Sequence, residues 1–207
     1  MDLHSPGRRR LLQGAASGAS ALVLPLVLAA CGEKKAEAFK GSDVTGTHLG
    51  KALALTDYDG QPRTLASFAG KVLVVFFGYT QCPDVCPTSL AELAEVMQKL
   101  GPDADRVQVI FITVDPERDT PEILKQYTTS FDPRFLALRG TDEQTRQTAT
   151  SFKAYYAKVP SKEDDDDYTM DHTAAFYLFD AKGEARVLAS HSSSSDDLVH
   201  DIKALLS

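Results

Sequence analysis

The residues best equipped for chemistry lie in the stretch YTQCPDVCP, residues 79–87. Cys82 and Cys86 stand four apart, each followed by a proline, directly after the apolar run VLVVFFG. Cys31 is the only other cysteine of the 207-residue chain. Two thiols at this spacing admit three uses: a structural disulfide, a redox switch or a metal clamp. A bridge between them would close a very small loop, and the stabilisation gained by restricting the unfolded chain grows with loop length. A staple would contribute little, so the pair points to chemistry.

Two elements must position these thiols. KVLVVFFG (71–78) is a continuous apolar, β-branched run, the pattern of a strand covered on both faces. PTSLAELAEVMQKLG (87–101) sets Leu90, Leu93, Ala94, Met97 and Leu100 on one helical stripe, with Pro87 suited to the first turn and Gly101 to the stop. The cysteines therefore occupy a strand-to-helix turn, where ligands bind in open α/β sheets. The unpaired N–H groups of a helix start favour thiolates. The spacing permits a disulfide and leaves room for an ion between the sulfurs.

The remaining pattern supplies the scaffold. LALTDYDGQPRTLASF predicts a hairpin turning at Asp59-Gly60, and VQVIFITV (107–114) a second buried strand. DTPEILKQYTTSF opens a helix with Asp119 or Thr120 as cap, Pro121 in the first turn and Glu122 placed for a capping box. FLAL (135–138) predicts a short strand and TDEQTRQTATSFKAYY (141–156) a third helix. KVPSKEDDDDYTMDH (158–172) has no periodicity and reads as a long loop or an extended hairpin. TAAFYLFD (173–180) and ARVLASH (185–191) form paired strands, and SSDDLVHDIKALL a closing helix. This order predicts an α/β, thioredoxin-like mixed sheet flanked by helices, with an N-terminal β-hairpin extension, over residues 48–207.

Residues 1–31 read as an export leader. Arg8, Arg9 and Arg10 form a positive region, followed by the apolar core Ala21–Cys31 with Pro25 inside it. That core is shorter than the roughly 20 apolar residues of a membrane span and suits a signal peptide. RRRLLQ resembles a twin-arginine signal, and Leu28-Ala29-Ala30-Cys31 resembles the lipobox of bacterial lipoproteins, whose cysteine is acylated after cleavage. Retention as an uncleaved anchor, or cleavage with Cys31 incidental, are the alternatives. Each places the domain outside the cytoplasm, and the lipobox reading predicts a membrane-anchored protein facing the periplasm. Residues 32–47 are polar and aperiodic, as expected of a tether. The net charge of −7 argues against nucleic acid as a partner and suits a basic surface or a cation.

Three blocks together, FFGYTQCPDVCPTSL, VDPERDTPEIL (114–124) and DHTAAFYLFDAKG (171–183), resemble the Sco (SenC) family of copper-delivery proteins. The resemblance runs from about residue 48 to the C-terminus. It implies a thioredoxin-like fold and a copper site formed by Cys82, Cys86 and the distant His172. It also implies delivery of copper to the binuclear copper site of cytochrome c oxidase, whose copper-site subunit becomes the expected partner. Other copper chaperones and thioredoxin-like reductants are further expected partners. The chemistry agrees: soft thiolates select Cu(I), imidazole adds a neutral third donor, and the same set accepts Cu(II). Zinc prefers four ligands, and no fourth stands out. Asp84 is expected either to cap a turn or to tune the thiolates, and Asp171 to orient His172. Met170 reads as loop packing before soft donor, Asp115 and Arg118 as a structural turn near the same face, and Glu163–Asp167 as a solvated acidic loop. His191 and His200 read as surface residues. Gln81 departs from the histidine that many family members carry before the first cysteine.

The alternative function is a thiol–disulfide oxidoreductase, with Cys82 attacking a partner disulfide and Cys86 resolving it. Dedicated reductases of this fold use C-x-x-C and a proline facing it. This chain instead has Met170-Asp171-His172 there. A peroxidase of the same fold would need a Thr/Arg-backed cysteine motif, which the sequence lacks.

Overall fold

The computed structural model describes residues 38–160 and 168–207. The leader with Cys31, the first part of the tether and the acidic run Glu163–Asp167 lie outside the described residues. In chain order the elements are β1 (Ser42–Asp43), β2 (Ala54–Asp57), β3 (Pro62–Thr64), β4 (Val72–Gly78), α1 (Val85–Leu100), β5 (Val107–Thr113) and α2 (Pro121–Phe131). They continue with β6 (Leu136–Arg139), α3 (Asp142–Phe152), β7 (Tyr156–Pro160), β8 (Tyr168–His172), β9 (Ala175–Phe179), β10 (Ala185–Ser190) and α4 (Ser195–Leu206).

Eight strands form one mixed sheet in the order β1-β10-β9-β4-β5-β6-β2-β3. β4 is buried at every position, as its unbroken apolar run requires of a strand covered on both faces. It pairs in parallel with β5 from Val72↔Val107 to Gly78↔Thr113, and antiparallel with β9, where Phe76 faces Phe176. Phe77, Phe152 and Tyr177 meet edge to face beside this seam, with ring centroids 5.1–5.9 Å apart. The N-terminal hairpin of β2 and β3 extends the sheet at one edge, where Thr56 pairs with Arg139 of β6. Parallel central strands, antiparallel flanks and covering helices make the fold thioredoxin-like.

Two local outcomes differ from the sequence pattern, and in a third one of its alternatives is met. Helix α1 starts at Val85, before Pro87, so Cys86 lies inside its first turn. The third helix stops at Phe152, because Lys153 adopts a left-handed conformation (φ 55°) and closes it, and Tyr156 enters a strand. The described residues of the aperiodic segment are strands: β7 and β8 form a separate antiparallel ribbon with Tyr156↔His172, Lys158↔Met170 and Pro160↔Tyr168 in register.

Regular structure is also found before His48. Ser42 and Asp43 pair with Leu188 and Val187 of β10, inside the stretch expected to be tether. The buried carboxylate of Asp201 on α4 accepts the backbone N–H groups of Lys40 (2.7 Å) and Gly41 (2.9 Å). A two-residue strand has no periodicity to read, and its clasp lies far along the sequence.

Candidate metal centre

Cys82, Cys86 and His172 reach one point from three segments: the loop after β4, the first turn of α1 and the end of β8. Their ligand atoms, two Sγ and one imidazole nitrogen, all lie within 4.8 Å of one another. It is the single such group of three or more His, Cys, Asp or Glu donors among the described residues. Both thiols are free; Cys82 is half-buried and Cys86 fully buried.

The loop between β4 and α1 explains how the sulfurs are aimed. Asp84 occupies the N-cap position of α1, yet its side chain makes no capping hydrogen bond. The sulfur of Cys82 takes that place, accepting the Cys86 backbone N–H at 3.4 Å and a backbone hydrogen bond from Asp84. A thiolate thus sits where the first turn presents unsatisfied donors and positive potential. Its pKa is drawn well below the ordinary thiol value, foremost by the hydrogen bond from Cys86 and then by these backbone groups. The Cys86 thiol moves the opposite way, because it keeps the proton it donates to Cys82 and because it is buried. The pair thereby holds one thiolate and one thiol. Asp84 therefore acts through its backbone, and the tuning expected of its carboxylate is carried by the helix start.

His172 Nε2 stands 3.4 Å from Cys86 Sγ. Its Nδ1 lies 3.2 Å from the carbonyl oxygen of Thr173, which can only accept. Nδ1 therefore carries the proton and Nε2 presents its lone pair toward the sulfurs, the tautomer a metal ligand needs. The orienting role expected of Asp171 belongs to this carbonyl. Asp171 is exposed and alternates in β8 with Met170 and His172, so it faces the other side of the ribbon. The rings of Phe76 and Tyr79 stand edge-on to the imidazole at 6.0 and 6.1 Å. Met170 is buried, in keeping with packing. The mouth is an open cleft of about 320 Å³ between Cys82–Val85 and Thr169–His172.

Further residues fix the loop, and the sequence pattern did not single them out as part of the site. Asp119 is buried and accepts from the Thr80 hydroxyl (2.5 Å), the Thr80 N–H (3.2 Å) and the Thr113 hydroxyl (2.5 Å). Burial pushes its carboxyl pKa up against these donors. It pins the residue that follows Tyr79, two before Cys82. Gly78, the last residue of β4, packs so closely that an added Cβ would stand 2.8 Å from Cys86 Sγ. The signal for Gly78 was present as the one small residue closing an otherwise bulky run.

A thioredoxin-like domain with a Cys-x-x-x-Cys turn facing a histidine on a separate ribbon defines a class of soft-metal or thiol-active proteins. Comparison narrows it. The SCO1/SenC family profile matches residues 42–207, and the chain belongs to that family. It is 40% identical over 152 residues to the mouse mitochondrial SCO2 homolog, covering 72% of this chain and 59% of that protein. The chain therefore spans less than two thirds of that relative's length. Among solved structures, Bradyrhizobium japonicum ScoI with copper bound aligns with a TM-score of 0.68 at 43% identity, covering 81% of this chain and 99% of that one. BsSco, described with a disulfide switch as a member of the Sco family of cytochrome c oxidase assembly proteins, aligns at 0.61 and 26% identity, covering 79% and 95%.

Proposed function

We propose that this protein binds copper through Cys82, Cys86 and His172 and delivers it to the copper-site subunit of cytochrome c oxidase. The observation that carries the reading is the convergence of two sulfurs and one lone-pair nitrogen within 4.8 Å. Two thiolates and a neutral imidazole suit Cu(I) and leave the loaded site with one net negative charge. Copper-bound relatives of the same fold support the choice of metal. The leader pattern and Cys31 support a protein on the outer side of a bacterial membrane, held by a lipid and facing the periplasm. Among the described residues no helix is long and apolar enough to cross a membrane.

The geometry orders the transfer. Cys82 lines the open cleft while Cys86 is fully buried behind it. An incoming acceptor thiolate displaces Cys82 first, and Cys86 is the last donor to release. The test is competitive titration of the reduced domain with Cu(I) and with Zn(II), repeated for His172→Ala. Copper should bind more tightly than zinc, and the variant should lose about tenfold or more in copper affinity. Copper affinity unaltered in His172→Ala would overturn the ligand assignment.

A second reading is favoured by the unequal thiols. Cys82, half-buried at the cleft and ionised, would attack a partner disulfide, and the departing partner sulfur would leave as thiolate. Cys86, after losing its proton, would attack Cys82 Sγ, leaving a Cys82–Cys86 disulfide and a fully reduced partner. Turnover with disulfide substrates under the same conditions distinguishes this activity from delivery.

A further inference from the structure

The third ligand comes from a sparsely buried part of the domain. In the β7–β8 ribbon Met170 is the single residue classed as buried, and the ribbon pairs with no strand of the main sheet. Beneath it lies a cavity of about 370 Å³, bordered on the ribbon side by Tyr156, Lys158 and Met170 and on the other by the loop after β5. Apolar packing therefore does little to set where the ribbon rests. Beside the cavity, a compact polar and aromatic cluster joins the ribbon to that loop. Arg118 donates through Nε to Asp115 (2.5 Å) and through Nη1 to the Tyr168 carbonyl (2.9 Å). Its guanidinium lies over the Tyr168 ring at 3.7 Å, and the Tyr168 hydroxyl donates to Asp115 at 2.9 Å. The same guanidinium is 5.8 Å from the ring of Tyr79, whose hydroxyl is hydrogen-bonded to the Met170 backbone. Lys158 pairs with Glu117 at the flank.

Tyr168, Met170 and His172 alternate along β8 and so share the face turned toward this cluster. A planar cation stacked on one ring and bonded through separate N–H groups to a carbonyl and a carboxylate restrains both tilt and twist of a strand, which a lysine cannot do. Asp115 is almost fully buried and fixes the Arg118 fork from below. We infer that the Asp115–Arg118 pair is a positioning device for His172: it holds the ribbon over its cavity so that Nε2 meets the two sulfurs. This rests on the reading of Cys82, Cys86 and His172 as a metal site, and it gives the second of the three sequence blocks, VDPERDTPE, a part in that site.

The experiment compares Arg118→Met, Arg118→Lys and Tyr168→Leu with His172→Ala, in the reduced protein, by Cu(I) competition and by Cu(II) electron paramagnetic resonance. Arg118→Met should weaken Cu(I) binding about 10-fold or more, the usual reach of a residue that orients a ligand, with Arg118→Lys in between. The nitrogen hyperfine signal of the Cu(II) form should fade as it does in His172→Ala. Combining Arg118→Met with His172→Ala should cost no more than His172→Ala alone, within roughly twofold. In the metal-free protein the His172 ring resonances should shift while Cys82 alkylation keeps its rate. Tyr168→Leu removes the stack from the ribbon side and decides the matter if Arg118→Met fails to fold. A folded Arg118→Met or Tyr168→Leu with unchanged copper affinity, or full additivity with His172→Ala, overturns the inference. If His172→Ala itself leaves copper binding intact, the metal site rather than this device is at fault.

Discussion

Gly78→Ala tests whether the sheet itself fixes the Cys86 sulfur of the proposed metal site. Gly78 closes β4 and lies against the first turn of α1. A Cβ there would stand 2.7 Å from Phe111 Cε2 and 2.8 Å from Cys86 Sγ. Favourable contact between such atoms needs about 3.5–4.0 Å, so neighbours must retreat by roughly 0.7 Å or more. Phe111 is fully buried in β5 and has little room, which directs the displacement to the sulfur. Overpacking of this kind costs about 1–3 kcal/mol. In the metal-free protein the Cys86 thiol can relieve it by rotating away. A bound ion removes that freedom, because ligand distances tolerate only about 0.2 Å. If the whole strain falls on the loaded state, Cu(I) affinity drops roughly 5- to 150-fold. Competition titration of the reduced variant reads the effect, with thermal unfolding as the check that the domain is intact. An intact Gly78→Ala domain with wild-type copper affinity would refute the reasoning, since Cys86 Sγ would then be free to move without consequence for the metal.

Other consequences follow from the same contacts. Because Cys82 is held as thiolate and Cys86 keeps its proton, Cu(I) binding should release about one proton near neutral pH, with log affinity rising by about one per pH unit; a slope of two would mean both sulfurs start protonated. Alkylation of the metal-free protein should modify Cys82 first and remain fast at mildly acidic pH, while buried Cys86 reacts only slowly, as peptide mass spectrometry would record. Equal rates at the two cysteines would contradict the assignment of the thiolate. Asp201→Ala should lower unfolding stability by about 1–3 kcal/mol in denaturant titrations, since it strips the acceptor from the Lys40 and Gly41 N–H groups. Amide exchange at residues 40–44 should rise with it, and unchanged protection there would show that the β1–β10 pairing holds the segment without the clasp.

The parts of this protein that sequence made legible are those with a period or an unbroken apolar run. β4, β5, α1 and the β9–β10 pair each carry one, and each appears in the structure where the pattern places it, within a few residues at its ends. The cysteines were legible for the same reason, since they sit between two such elements. Where the pattern failed, contacts between distant residues decide the conformation. Polar and apolar residues do not alternate along β7 and do so for only five residues in β8, because one face of the ribbon looks onto a cavity and a charged loop rather than a core. Its position depends on Arg118, about 50 residues earlier, and a lone arginine in a turn gives no sign of what it will stack upon. Asp84 misled for a related cause. Aspartate before a helix ordinarily caps it, but here a sulfur two residues earlier had already taken the donor. That substitution also accounts for the spacing. With Cys82 capping the turn that contains Cys86, the Cys82 sulfur and the Cys86 backbone are held together by the helix start whether or not a metal is bound. The imidazole, carried on a ribbon with few apolar anchors, is the one donor whose position the protein must set separately.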